Sequence, residues 1–228
     1  MSTLLKRRLC DHRGLHMLPG LSPRRVAVLA VVVVVLVVAV GTVGKLLANF
    51  HTVVPGQLYR SAQAGPRQLS AYIDRYGIRS ILNLRGPNPA AEWYQDERAV
   101  ASRKAVRLYD VPIDSGNPPS GQDLRKLLQA LRECPKPALL HCRSGIDRSS
   151  MAAAVGVLLL SDRSTPADAL KEFTWRYGYM PWGENVPKQS ATFYEYQSWL
   201  AEQGVQHSSA RFEKWILDRW GSEEENPH

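Results

Sequence analysis

The distribution of apolar and polar positions divides the chain into one long hydrophobic block and a series of short alternating elements. From Val26 to Gly44 there is no charge, and most positions are Val, Ala or Leu. Nineteen helical residues span about 28 Å at ~1.5 Å each, close to the hydrocarbon thickness of a bilayer. Valine is a middling helix former in water, but in lipid the backbone must satisfy its own hydrogen bonds, so helix is the outcome. The block has no polar face, which fits a buried soluble helix poorly. Residues 45–55 read as a short linker ending at the turn signal Pro55-Gly56.

Beyond the linker, β-rich runs alternate with amphipathic stretches. Gln57 to Gln63 reads as a brief strand and loop. Pro66 suits the opening of a helix through Tyr76, with Leu69, Tyr72, Ile73 and Tyr76 as its apolar stripe and Gly77 as its stop. A short strand over 79–84, a helix over 90–104 and a strand over 106–113 follow. Trp93, Tyr94 and Val100 are the second helix's candidate core positions, and the second strand slips in phase near Pro112. Ser120 can cap a helix over 121–132 that buries Leu124, Leu127, Leu128 and Leu131. Pro135 and Pro137 end it and launch an apolar strand through Leu139 and Leu140.

An apolar helix occupies 151–160, and the spacing predicts another after Pro166 with Ala169, Leu170, Phe173 and Trp175 inward. The aromatic segment Arg176–Gly183 reads as core packing, with a role at the substrate mouth as the alternative. Tyr196, Trp199 and Leu200 share one side of a helix over 193–200. Phe212, Trp215, Ile216 and Trp220 share one face of a helix over 211–220, which either docks on the domain or lies on a membrane. The alternation implies an α/β fold: a central, mostly parallel sheet of four to five strands with helices on both faces. The expected layout is a basic tail (1–25), a transmembrane helix (26–44), a linker (45–55), a catalytic domain (56–205) and a C-terminal amphipathic helix and tail (206–228).

A formal net charge of +8 suits an anionic substrate or membrane surface. No zinc spacing, recognition-helix signature or basic-aromatic array points to nucleic acid. Lys6, Arg7, Arg8, Arg13, Arg24 and Arg25 crowd the N-terminal flank of the apolar block, and Lys45 alone follows closely. The positive-inside rule keeps that flank in the cytoplasm and places the remainder on the outer, periplasmic side. A cleaved signal peptide, with Ala39-Val40-Gly41 as its small-x-small site, is the competing expectation. Cys10, Cys134 and Cys142 form neither a disulfide framework nor a metal set. Cys134 reads as a small apolar residue at a helix end, or as a redox partner of Cys142.

Chemistry concentrates in His141-Cys142-Arg143-Ser144-Gly145-Ile146-Asp147-Arg148-Ser149. A strand ends in a thiol, and a loop with Cys-x5-Arg spacing leads into a helix. Such a loop can curl into a bowl whose backbone N–H groups point inward at a helix N-terminus, an anion site that also favours the nucleophilic thiolate. Arg148 supplies a planar fork for two phosphate oxygens. Arg143, Ser144, Gly145, Ile146 and Asp147 form the rest of the phosphate-binding set, and Gly145 permits torsions closed to other residues. Ser149 can donate a hydrogen bond to the sulfur, and His141 orients the loop through hydrogen bonds. A thiolate beneath an oxyanion cradle suits phosphate-ester cleavage through a cysteinyl phosphate, with no metal or other cofactor needed. Cleavage also needs a proton for the departing oxygen. Asp114, at the junction of strand and loop, is the chosen donor over Asp110 within the strand, with Asp147 as rival.

This strand, loop and helix resemble the protein tyrosine phosphatase superfamily, closest to its compact bacterial dual-specificity-like branch. The resemblance covers roughly residues 50–203 and extends to the Leu58-Tyr59-Arg60-Ser61-x-Gln63 run, where it implies that Arg60 and Ser61 support the loop. It implies that Cys142 attacks phosphorus, Arg148 holds the equatorial oxygens, and Ser149 eases departure of the thiolate. The family's acid precedes the cysteine by about thirty residues; Asp114 lies 28 before it and Asp110 lies 32 before it. Some relatives carry Asp-Leu-Arg where this chain has Asn83-Leu84-Arg85, so no carboxylate stands at 83. The implied substrates are phosphorylated proteins, with phosphoinositides, inositol phosphates and phospholipids as alternatives. A non-catalytic phosphate-binding adaptor is a different class of function. A rhodanese-like loop, which Cys142-Arg143-Ser144-Gly145 also resembles, would bring its arginine one residue sooner.

Overall fold

A computed structural model describes residues 23–46, 49–180 and 186–220. The chain divides into two compact units, Met1–Val43 and Gly44–His228. Helix α1 (Pro23–Leu46) exposes its side chains from 23 to 40. Its segment Pro23–Val40, with mean hydropathy 2.5, is long and apolar enough to cross a membrane, a test that an N-terminal signal sequence also passes. Arg24 and Arg25, expected in the tail, belong to the first turn of this helix, because Pro23 suits a helix start. The rest of the expected tail lies outside the described residues.

The second unit is built on a five-stranded sheet. Strands β1 (His51–Val54) and β2 (Leu58–Ser61) form an antiparallel hairpin. Its turn places Pro55 and then Gly56 at φ +70°, closed by Gln57 N–H to the Val54 carbonyl at 3.0 Å, the demands of a type II turn. Residues 51–54, expected as linker, are therefore an edge strand, because the turn signal joins two strands. Strands β3 (Ser80–Asn83), β4 (Arg107–Asp110) and β5 (Ala138–His141) complete the order β1-β2-β5-β3-β4. Every pair after the first is parallel. Strand β5 lies between β2 and β3, and all three are buried throughout, which explains their unbroken apolar character.

Period-two alternation sends successive residues to opposite faces. Tyr59, Ile81 and Leu139 join the smaller core with Leu69, Ile73 and Val100, under α2 (Pro66–Tyr76) and α3 (Glu92–Arg103). Leu58, Leu82 and Leu140 join the larger one, covered by α4 (Gly121–Glu133), α5 (Asp147–Leu159), α6 (Pro166–Leu170), α7 (Val186–Gln203) and α8 (Ser209–Trp220). Ser120 caps α4 in a reciprocal box with Asp123.

One expectation changes here, and one is decided. The helix after Pro166 ends at Leu170, and a 3-10 turn, Trp175–Tyr177, follows. The helical phase is lost, so Trp175 stands 79% exposed although Phe173 still reaches the core. Of its two expected readings, helix α8 takes the first and docks on the domain: Phe212, Trp215 and Ile216 are buried in the larger core, each worth about 1.5–3 kcal/mol of apolar burial. Tyr177 and Tyr179 pack inward as expected, whereas Pro181, Trp182 and Gly183 lie outside the described residues, as do the acidic last residues.

Candidate active site

The loop leaves the carboxyl end of β5 and enters the N-terminus of α5. Open parallel sheets place their ligand sites in this position. Cys142 sits 2% exposed at the base of the loop. Gly145 has φ +70°, and a Cβ there would stand 2.6 Å from the Ala62 nitrogen and 2.8 Å from the Ser61 carbonyl carbon. Only glycine lets the loop press this closely against the end of β2.

The carbonyls of the loop are engaged from outside. Gln63 N–H donates to the Arg143 carbonyl at 3.3 Å. Arg60 Nη2 donates to the Gly145 carbonyl at 2.8 Å, to the Ile146 carbonyl at 3.4 Å and to Ser150 Oγ at 2.9 Å. Asn49 Nδ2 donates to the same Gly145 carbonyl at 3.0 Å. Among the described residues, none accepts from the amides of Arg143, Ser144 or Gly145. A loop bound through its carbonyls on one side leaves its amides for an anion on the other.

Arg60 is fully buried, as the support role implies. Its Nη1 donates to Glu172 Oε2 at 2.6 Å, and its guanidinium lies 4.2 Å from the Tyr177 ring centroid. Ser61 lends its carbonyl to Ser149 Oγ at 3.4 Å. The Ser149 hydroxyl, expected to face the sulfur, donates there instead, since the end of β2 lies beside the first turn of α5.

Arg148, half-buried in that first turn, donates from Nη1 to the Leu84 carbonyl at 3.3 Å. The residue after Leu84, Arg85, has its guanidinium carbon 3.5 Å from the Trp93 ring centroid and donates to Gln63 Oε1 at 3.1 Å. Burial first, then the neighbouring charges of Arg148 and Arg143, lower the Arg85 pKa. Arg85, Arg143 and Arg148 thus gather positive charge around Cys142, and none of them is ion-paired among the described residues.

The three candidate acids occupy different settings. Asp114 is exposed, and its carboxylate accepts from Gly116 N–H at 2.8 Å and Asn117 Nδ2 at 2.7 Å. Those bonds, the backbone one foremost, lower its pKa, and Arg148 adds a small pull in the same direction. In this state Asp114 closes a turn rather than holding a proton. Asp110 accepts from Tyr94 Oη and from Asn83 Nδ2, a structural tie between α3, β3 and β4. Asp147 is exposed in the first turn of α5.

His141 does not hydrogen-bond into the loop as expected. Its Nε2 lies 2.9 Å from Glu97 Oε2, off the line of a good hydrogen bond, with both side chains buried. Cys134, the possible redox partner, caps the far end: it precedes β5, whereas Cys142 follows it. Four strand residues span about 13 Å, well beyond the reach of a disulfide. Lys136 Nζ lies 2.8 Å from the Cys134 sulfur.

Sequence reasoning missed Asn49, Gln63, Arg85, Glu97, Glu172 and Tyr177 as parts of this site. One signal was available: Glu97 falls between Tyr94 and Val100 on the buried stripe of α3, where an acid demands a partner. It finds Gln63 Nε2 at 2.7 Å.

No curated protein sequence matches the chain. Among solved structures, the core catalytic domain of the PP-IP phosphatase SIW14 from S. cerevisiae, in complex with citrate, is similar, with TM-score 0.52 and 20% identity over 68% of this chain and 93% of that one. A DUF442 protein from Shewanella putrefaciens CN-32 has TM-score 0.51 and 20% identity over 68% of this chain and 92% of that one. These likenesses show the fold. The family described as "DSP-PTPase phosphatase fused to NAD+ Kinase" matches residues 46–166. That match takes in more than half of the chain, including β2, β5 and the whole Cys142–Arg148 loop between them and α5, so the protein belongs to this family of cysteine-based phosphatases.

Proposed function

We propose that the protein hydrolyses phosphate monoesters in two steps through a cysteinyl phosphate. The Cys142 thiolate attacks phosphorus, the P–O bond to the leaving group breaks, and Asp114 gives that oxygen a proton once its loop releases the carboxyl. Water then attacks phosphorus, returns a proton to Asp114, and frees Cys142 and inorganic phosphate. Arg148 and the loop amides hold the equatorial oxygens throughout, and Ser149 eases departure of the sulfur by rotating its hydroxyl. The observation behind this assignment is the outward engagement of the Arg143, Gly145 and Ile146 carbonyls around a buried thiol.

Phosphorylated tyrosine, serine or threonine in proteins is the first substrate class, in keeping with the family. A second class, organic polyphosphates such as inositol phosphates, is favoured by the three arginines. One phosphate dianion needs Arg148 and the amides; Arg85 and Arg143 leave positive charge for a second anionic group. A phosphate-release panel over phosphopeptides, phosphoinositides and inositol phosphates tests both. Cys142→Ser removes all turnover if the protein is an enzyme and spares its function if it is an adaptor. Arg85→Met lowers kcat/KM about tenfold more on polyphosphates than on p-nitrophenyl phosphate; an equal loss on both returns the assignment to phosphoproteins.

The apolar helix is proposed as an uncleaved anchor, with the basic flank in the cytoplasm and the phosphatase unit on the outer side. A reporter fused at the C-terminus reads out the side.

A further inference from the structure

Asn49 stands three residues beyond the end of α1, in a stretch with no motif and no expected chemistry. Its backbone adopts φ +51°, the left-handed region that asparagine tolerates better than most residues. Its side-chain amide is fully used. Nδ2 donates to the Gly145 carbonyl at 3.0 Å and to the Tyr177 carbonyl at 2.9 Å, reaching 96 and 128 residues along the chain. Oδ1 lies 2.9 Å from His51 Nε2.

The Gly145 carbonyl belongs to the peptide plane that carries the Ile146 N–H. Peptide planarity makes the two groups point in opposite directions, so a donor that draws the carbonyl outward aims the amide inward. Arg60 and Asn49 share that carbonyl, at 2.8 and 3.0 Å. The second amide hydrogen of Asn49 ties down the segment whose Tyr177 ring carries Arg60. Asn49 therefore acts on the loop directly, and again through the seat of Arg60. His51 selects the direction of the amide. Burial first, and then Arg60 and Arg176, lower its pKa. The neutral ring can donate from Nε2 to Asn49 Oδ1, which leaves Nδ2 for the two carbonyls. The His51 ring also meets Tyr177 edge-on at 4.8 Å between centroids.

We propose that Asn49 is a positioning residue for the phosphate loop, so that the N-terminal edge of the catalytic unit sets the oxyanion-binding geometry. This rests on the phosphatase assignment above. Its consequence is that the N-terminal edge of the catalytic unit, at Asn49, is hydrogen-bonded to the catalytic loop.

The test uses the full chain in detergent and two substitutions. Asn49→Gly keeps the left-handed backbone without strain and deletes the amide. Asn49→Asp keeps the shape but turns a carboxylate oxygen towards two carbonyls. Orthovanadate inhibition, kcat/KM on p-nitrophenyl phosphate and the thermal midpoint are measured for each. A re-aimed oxyanion donor predicts a 10–100-fold weaker vanadate Ki and a matching loss in kcat/KM for Asn49→Gly, with a larger loss for Asn49→Asp. A residue that only stabilises the fold would lower the midpoint and leave the vanadate Ki of the folded enzyme unchanged. Wild-type Ki in Asn49→Gly overturns the proposal, whether or not Asn49→Asp folds. Failure of the wild-type chain to bind vanadate at all would instead overturn the phosphatase assignment.

Discussion

Arg60 Nη1 meets Glu172 Oε2 at 2.6 Å, and the two side chains are 0% and 8% exposed. Burial lowers the pKa of Arg60 and raises that of Glu172, in each case against the pull of the partner. The pair is therefore a poor source of stability, because desolvation outweighs attraction on both sides. Its product is placement: Arg60 Nη2 is delivered to the carbonyls of Gly145 and Ile146. Removing one partner leaves an uncompensated buried charge, so Arg60→Met or Glu172→Gln alone is expected to cost about 3–5 kcal/mol in denaturant unfolding. The double variant Arg60→Met/Glu172→Met is expected to recover most of that stability yet stay at least ~10²-fold slow in turnover. A stable and fully active double variant would show that the loop shapes itself without Arg60.

Gly145→Ala places a methyl group against the Ser61–Ala62 peptide at a φ of +70°. The backbone strain alone is of order 1–3 kcal/mol, and the loop must also move off β2. The expected result is loss of both turnover and vanadate binding in a protein whose far-UV circular dichroism is unchanged. Retained vanadate affinity would mean that the cradle tolerates displacement from the end of β2.

Asp114→Asn separates acid catalysis from loop structure. Asparagine can keep an acceptor for Gly116 N–H, so the turn is expected to persist. If Asp114 is the proton donor, the loss depends on the leaving group: about 10²–10³-fold in kcat for alkyl phosphates, and far less for p-nitrophenyl phosphate. Equal, small losses on both would move the acid role to Asp147 or solvent.

Tyr94 illustrates a pH effect away from the chemistry. Burial, followed by its hydrogen bond to Asp110, raises its pKa from 10.0 to about 12. A group whose folded pKa is raised contributes stability that is present below the unfolded value and is lost as pH climbs through the folded one. Wild-type protein is thus expected to lose stability relative to Tyr94→Phe between pH 10 and 12. Burial raises Tyr196 to about 12 as well. Burial raises Tyr72, Tyr177 and Tyr179 too, so an absorbance titration at 295 nm should show one fewer late phenol in Tyr94→Phe than in the wild type. An undiminished number of late phenols in the variant would refute the assignment to Tyr94.

The Cys142–Arg148 loop was legible because its parts are contiguous. Cys142, Gly145 and Arg148 lie within seven residues, and a strand before them and a helix after them suffice to place them. Leu58, Leu82 and Leu140 were legible as core for a similar reason, since each stands in a short apolar run. Trp175 was misread because a helical stripe was extended across a break that the apolar spacing does not mark. Strand β1 was missed because the turn at Pro55-Gly56 looks the same whether it ends a linker or joins two strands.

The amino-acid sequence by itself determined the apolar N-terminal helix, the alternation of strands and helices, and the identity of the thiol and guanidinium at one strand end. These follow from periodicity and from torsions set by near neighbours. Only the tertiary structure decided who holds the loop from behind. Placing β5 between β2 and β3 sets Arg60 beside Gly145, 85 residues away in sequence, and Asn49 and Glu172 converge on the same place. Glu97 reaches His141 and Gln63 in the same way. Such polar contacts join residues with no periodic relation, so their partners are defined only when the strand order brings them within 3 Å or so.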